Sequence, residues 1–216
     1  LAYNQNGKEE IKKIFNVKEG RDVPFSNSKP KELIEHLINF NKNKNAIVLD
    51  FFAGSGTTGQ AVLELNKKDN GNRQYILCTD NENNICENIT YTRMRTVITG
   101  LREDSSKYSE GIQSNLKYYK TSHIPRLNNE EENIQENLLV NIRNLIQLEN
   151  GISIDDKVIK VILNEDEIEQ IKECEKLYIS SDILLTAKQV KIFKDNNIEV
   201  FIIPEYYFDE EIKEVQ

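Results

Sequence analysis

At 216 residues, 38% hydrophobic and 30% charged, the chain is long enough to bury a real core and to form one large or two small domains. A net charge of −8 argues against a protein whose main business is gripping phosphates, and no apolar run is long enough to cross a bilayer. The three cysteines, Cys78, Cys86 and Cys174, have no metal spacing and form an odd set, so reduced thiols in the cytoplasm are expected. Charge is unevenly spread. Residues 1–49 carry nine Lys and Arg against six Asp and Glu, residues 50–129 ten against nine, and residues 130–216 nine against twenty-one. Any nucleic-acid contact is therefore expected toward the N-terminal part, with the acidic end facing solvent or a basic protein partner.

In chain order, residues 8–15 predict a short helix with Ile11, Ile14 and Phe15 inward, broken by Gly20. Pro30 suits the first position of a second helix, on which Leu33, Ile34, Leu37 and Ile38 form one apolar face. The run Ile47-Val48-Leu49 ending on Asp50 predicts a buried parallel strand. A turn with Gly54, Gly56 and Gly59 follows, then a helix over residues 57–66. Such a turn lets backbone approach a ligand, and free N–H groups at the helix start favour polar or anionic atoms.

Three ligand classes use such loops. A nucleoside triphosphate needs a lysine at the loop's end, and none lies between Lys44 and Lys67. Gly54-x-Gly56-x-x-Gly59 satisfies the bare dinucleotide pattern, with Asp80 about 20 residues on. However, Asp50-Phe51-Phe52 stands between strand and glycines, and a carboxylate there suits a ligand carrying an ammonium group better than two phosphates. A ligand-free structural turn is the plain alternative.

Residues 50–58, Asp50-Phe51-Phe52-Ala53-Gly54-Ser55-Gly56-Thr57-Thr58, resemble the S-adenosylmethionine-binding motif of amino-type DNA methyltransferases. Phe25-x-x-x-Lys29-Pro30-x-x-Leu33-Ile34 resembles the stretch that precedes the cofactor strand in the permuted members, where the phenylalanine and neighbouring backbone help hold the methionine end of the cofactor. The resemblance implies cofactor contacts from Phe25, Lys29, Asp50, Phe51, Phe52, Gly54, Gly56, Thr57 and Thr58.

Residues 74–79 predict a second strand ending on Asp80. In a doubly wound sheet that end faces the ligand crevice, and a carboxylate there can accept both ribose hydroxyls of an adenosyl cofactor. Asp80 is the first candidate and Glu82 the second; equally simple readings make Asp80 a helix cap and Glu82 a solvated acid. A helix over residues 83–99 presents Ile85, Ile89 and Thr96 on one face and stops at Gly100. Its basic end, Arg93, Arg95 and Arg102, needs no more than the helix dipole to explain it.

Residues 116–121 predict a third strand, and solvated lysines are expected there rather than a base-stacking surface made by Tyr118 and Tyr119. A polar, acidic helix over residues 128–150 carries the stripe Ile134, Leu138, Leu139, Ile142 and Leu145. A small βαβαβ unit follows: strands at 157–163, 176–180 and 199–203, helices at 165–174 and 186–193, and a last short helix from about Asp209. His36 and His123 have no evident partners, and this end is expected to be structural or to contact protein.

The whole is similar to the C-terminal half of the modification (Mod) subunit of type III restriction-modification systems, or to a permuted adenine-specific methyltransferase. That resemblance implies an α/β fold: the cofactor half of a Rossmann-like methyltransferase sheet over residues 25–126, a tail of an upstream region at 1–24, and an acidic α/β C-terminal domain at 127–216. It implies transfer of a methyl group to adenine N6, with cytosine N4 as the alternative, and contact with DNA through an upstream half. A restriction (Res) subunit or a second copy would be the protein partner. A dinucleotide-binding or structural module with an acidic interaction domain is the competing class. The family's catalytic motif needs two adjacent prolines, whereas this chain has only Pro24, Pro30, Pro125 and Pro204. With Leu1 first and Met94 the only methionine, the sequence reads as a piece of a longer or trimmed chain, expected to bind cofactor without methylating DNA.

Overall fold

The computed structural model describes residues 4–122, 131–171 and 173–204, and for residues 4, 131–137 and 170 the backbone alone. The chain divides into two compact units, Leu1–Lys120 and Thr121–Gln216.

The first unit opens with helix α1 (Asn4–Ile14), which starts earlier than its apolar spacing predicts and buries Ile11 and Ile14 completely. Gly7 allows a close approach: a Cβ there would lie 2.0 Å from the Ser28 carbonyl oxygen, so α1 runs hard against the backbone of residues 28–29. Helix α2 (Lys31–Ile38) begins after Pro30, which is extended and caps it from outside rather than occupying its first turn. Its expected apolar face is only half covered. Ile34 and Ile38 are half-buried while Leu33 and Leu37 are exposed, and the buried residue is Glu35, ion-paired to Lys68 at 2.6 Å.

Strand β1 (Ile47–Asp50), helix α3 (Thr57–Asp69) and strand β2 (Gln74–Leu77) form one parallel βαβ unit. Asp50 pairs with Leu77, and the ladder runs on through Cys78 N–H to Asp50 O (2.8 Å) and Ala53 N–H to Cys78 O (3.0 Å). α3 runs longer than residues 57–66 and packs along α2, burying Ala61, Val62, Leu63 and Leu65. The strand is not buried on both faces as an unbroken apolar run predicts: Ile47 is 62% and Leu49 49% exposed, and Ile76 on β2 is exposed beside them. These are the only two strands among the described residues of this unit, so one face of the pair has no covering layer there.

Beyond β2 the single expected helix is three pieces: a 3-10 turn at Glu82–Asn84, a π-helical stretch at Cys86–Tyr91, and helix α4 (Thr92–Thr99). The wider π turn carries Thr90, whose hydroxyl donates to the Gly54 carbonyl at 2.6 Å. Gly100 ends α4 with φ 74°. Leu63, Met94 and Val97 form the local core, backed by Tyr75, Leu77 and Leu116. Residues 116–121 form no strand, and no neighbouring strand among the described residues offers them a ladder. Tyr118 instead donates its hydroxyl to Glu87 (2.9 Å) and lies tilted against Tyr91.

The second unit holds helix α5 (Glu131–Asn150) and a parallel sheet of β3 (Ile159–Ile162), β4 (Lys176–Ile179) and β5 (Glu199–Ile202), in the order β3-β4-β5. Ile142 and Ile146 of α5 pack with Val161, Tyr178 and Ile203. The opposite core is Ile162, Ile168, Leu177, Ile179, Phe193 and Ile198. The βαβαβ pattern holds with one change: residues 165–174 give a short 3-10 helix, Glu165–Gln170, not a full α-helix. Helix α6 (Ala187–Asp195) starts with a complete capping box between Thr186 and Gln189. His123, the 205–208 part of the C-terminal segment and the expected helix from Asp209 lie outside the described residues.

Candidate functional site

Asp50 is the last residue of β1, and its carboxylate fastens the loop that follows. Oδ1 accepts from the Phe52 N–H at 3.0 Å, and Oδ2 accepts from the Thr58 hydroxyl at 2.6 Å. A carboxylate offers about four lone-pair sites, so two such bonds leave capacity for a further cationic donor. Gly54 and Gly56 both take the left-handed region, with φ 50° and 77°, which an L side chain enters only with strain. Gly59 serves packing instead: a Cβ there would lie 2.8 Å from Met94 Sδ and Cε, so it lets α4 approach α3. Phe51 and Phe52 are exposed, Phe52 at 93%.

The Phe25 stretch and the glycine loop meet through residues 27 to 29 apart in sequence. A Cβ on Gly54 would lie 3.4 Å from Phe25 Cζ. The Ser28 hydroxyl lies 2.9 Å from that of Ser55 and 3.2 Å from that of Thr57. Lys29 is exposed and makes no side-chain hydrogen bond or ion pair among the described residues. The neighbouring Lys31 turns inward, bonding Glu64 at 2.6 Å and lying 3.7 Å from Glu10. Burial pulls the Lys31 ammonium down, but the Glu64 bond and the Glu10 and Glu64 charges outweigh it and hold the group above its ordinary value.

Asp80 and Glu82 leave the carboxyl edge of β2, beside the end of β1, and both are exposed. Asp80 Oδ1 accepts the Glu82 N–H at 3.2 Å, while the N-cap position of the following 3-10 turn is Asn81.

Arg93 is the residue that sequence reasoning misplaced. It does not belong to a solvated basic end: it is 0% exposed. Its Nε donates to Gln60 Oε1 (2.8 Å), and its Nη1 reaches the hydroxyls of Ser28 (3.1 Å), Ser55 (2.9 Å) and Thr57 (2.9 Å). Spacing could have found it, since Arg93 sits four after Ile89 and three before Thr96, on the buried face of that helix. Ser28 was likewise missed, being a small polar residue with no pattern of its own. Gln60 Nε2 in turn donates to Glu10 (2.9 Å) and Glu64 (2.8 Å), and the Tyr108 hydroxyl also bonds Glu10.

Residues 2–92 match the DNA methylase family. Over that stretch the chain is similar to DNA methylases. It is 46% identical over 79 residues to the Mod subunit of the type III restriction-modification enzyme StyLTI of Salmonella typhimurium, covering 37% of this chain and 11% of that protein. It is 51% identical over 53 residues to the EcoP15I Mod subunit of Escherichia coli, covering 24% and 8%. A longer match, 33% over 122 residues, is to the type II methyltransferase M.KpnI of Klebsiella pneumoniae, covering 56% and 28%. The matched part thus spans about a tenth of the length of the Mod subunits and under a third of M.KpnI. The likeness to type III Mod subunits and to DNA methylation enzymes agrees with the motifs at residues 25–34 and 50–58.

Proposed function

We propose that this chain is the S-adenosylmethionine-binding portion of a site-specific DNA methyltransferase of the restriction-modification kind. The observation that carries the reading is the meeting of the Phe25 ring, the Asp50 carboxylate and the bare backbone of Gly54 at one loop, inside a DNA methylase match. The residues fit the group. Asp50 keeps accepting capacity for the cofactor's ammonium, and Gly54 and Gly56 present backbone without side chains. Phe25, Phe51 and Phe52 offer apolar rings for the adenosyl and methionine stems, and Asp80, with Glu82 behind it, would accept the ribose hydroxyls. Thr57 and Thr58 hold the loop against α3, and Lys29 contributes only its backbone. When bound, S-adenosylmethionine supplies a methyl group made transferable by its sulfonium charge.

βαβ pairing with α3 in the crossover is the cofactor half of a Rossmann-like sheet, and 25–126 is its span in this reading. Adenine N6 is the proposed target on overall resemblance alone, with cytosine N4 as the alternative. The adjacent-proline catalytic motif is not in this chain, so another part of the methyltransferase would supply it together with the DNA-reading surface. The assembled enzyme would work in the cytoplasm, where free thiols such as Cys78, Cys86 and Cys174 stay reduced, and would pair with a Res subunit or a second copy. Ultraviolet crosslinking of labelled S-adenosylmethionine tests the reading. Label should enter the chain, S-adenosylhomocysteine should compete and NAD should not, and no methyl transfer to DNA should accompany it. Efficient competition by NAD would favour a dinucleotide site instead.

A further inference from the structure

Arg93 is buried without a carboxylate partner. Among the described residues it makes no ion pair; Glu10 and Glu64 bond Gln60, which bonds Arg93, and their charges act on the guanidinium from beyond contact distance. Its Nη2 is buried with no hydrogen-bond partner. Burial pulls its pKa down to about 10, far enough above neutrality that the guanidinium keeps its charge. A buried arginine is ordinarily matched to a carboxylate by a two-pronged contact, because an uncompensated buried charge is costly.

Here the charge meets only neutral acceptors: three hydroxyls, the Ser55 carbonyl at 3.3 Å and the Gln60 amide oxygen. Ser28, Ser55 and Thr57 are all buried and lie within 2.9 to 3.3 Å of one another. A hydroxyl that accepts from a cation turns its own proton away from it. Nη1 has two protons to share among these acceptors, and the hydroxyl protons are directed to one another, to the Lys29 carbonyl (3.5 Å from Ser28 Oγ) or to an incoming anion. They stand at the start of α3, a thirteen-residue helix with no side-chain cap at Gly56, so the helix dipole adds the same sign. Asp50, at the other end of the loop, carries the opposite sign.

We propose that Arg93 is a positioning residue for the carboxylate of an α-amino acid ligand moiety, acting through the hydroxyls of Ser28, Ser55 and Thr57, while Asp50 selects the ammonium. The proposal rests on the S-adenosylmethionine reading and deepens it. The loop sorts the two charges of the methionine zwitterion, and the buried guanidinium supplies the positive side without touching solvent.

The test is calorimetric binding of S-adenosylmethionine and of decarboxylated S-adenosylmethionine, which keeps the adenosine, sulfonium and amine and lacks only the carboxylate. Arg93→Met should weaken the first on the order of tenfold or more and the second by less than about threefold, and Arg93→Lys should restore part of the difference. Ser55→Ala and Thr57→Val, which leave the guanidinium in place, should show the same selectivity on a smaller scale and decide the matter if Arg93→Met does not fold. Equal weakening of both ligands in every variant would overturn the proposal and leave the cofactor reading standing. Failure of the unaltered protein to bind either ligand would remove the cofactor reading, and the proposal with it.

Discussion

The Thr58 hydroxyl donates to Asp50 Oδ2 at 2.6 Å, joining the last residue of β1 to the first turn of α3 across the glycine loop. This bond sets the loop's closure, because Asp50 Oδ1 simultaneously holds the Phe52 N–H. Thr58→Val keeps shape and removes the donor. It should cost about 2 kcal/mol in urea denaturation, as expected for a charge-assisted bond lost from a largely buried site, and Thr58→Ser should recover most of it.

Gly7→Ala sets two effects of opposite sign against each other. In an exposed helix interior, alanine would gain about 1 kcal/mol over glycine. Here its Cβ would meet the Ser28 carbonyl oxygen at 2.0 Å, and backbone must move to make room. The clash should win, giving a net loss of stability, and because Ser28 moves with it, ligand affinity should fall as well. A stabilised variant would show that α1 does not press on residue 28.

Glu10 makes the first unit acid-sensitive. Burial alone would raise its pKa, but bonds from Tyr108 and Gln60 and the charges of Lys31 and Arg93 hold it below its ordinary 4.5. A depressed folded pKa contributes stability above the unfolded value, lost as pH falls through the folded one. Denaturant midpoints should therefore decline below about pH 4.5, and Glu10→Gln should flatten that part of the profile, at a cost in stability near neutrality.

In the second unit, Thr186→Ala removes the capping box and should cost about 1 kcal/mol, seen as faster amide exchange in the first turn of α6. Gln189→Ala should produce part of the same effect.

Where one local rule dominated, the sequence was easily read. The apolar run at 47–49, the glycine punctuation and the alternation of short strands with helices placed β1, α3, β2 and the three-stranded sheet to within a few residues. The rest depended on what each element packs against. An apolar run does not say which side is covered, so Ile47 and Leu49 were expected inside and stand exposed. Residues 116–121 have strand propensity but no ladder to join. Arg93 carries a charge that favours a solvated helix end, while its helical spacing from Ile89 and Thr96 puts it on the buried face, and the spacing prevails. The left-handed Asn83 and the π turn at Cys86–Tyr91 split the expected helix without any glycine or proline to announce it.

The most direct test of the cofactor site is calorimetric titration of the protein with S-adenosylmethionine, beside NAD and the Asp50→Ala variant. Saturable binding of S-adenosylmethionine is expected, at least tenfold weaker in Asp50→Ala, with none for NAD. A folded protein that binds NAD in preference, or whose S-adenosylmethionine affinity is unchanged by Asp50→Ala, would contradict the cofactor site.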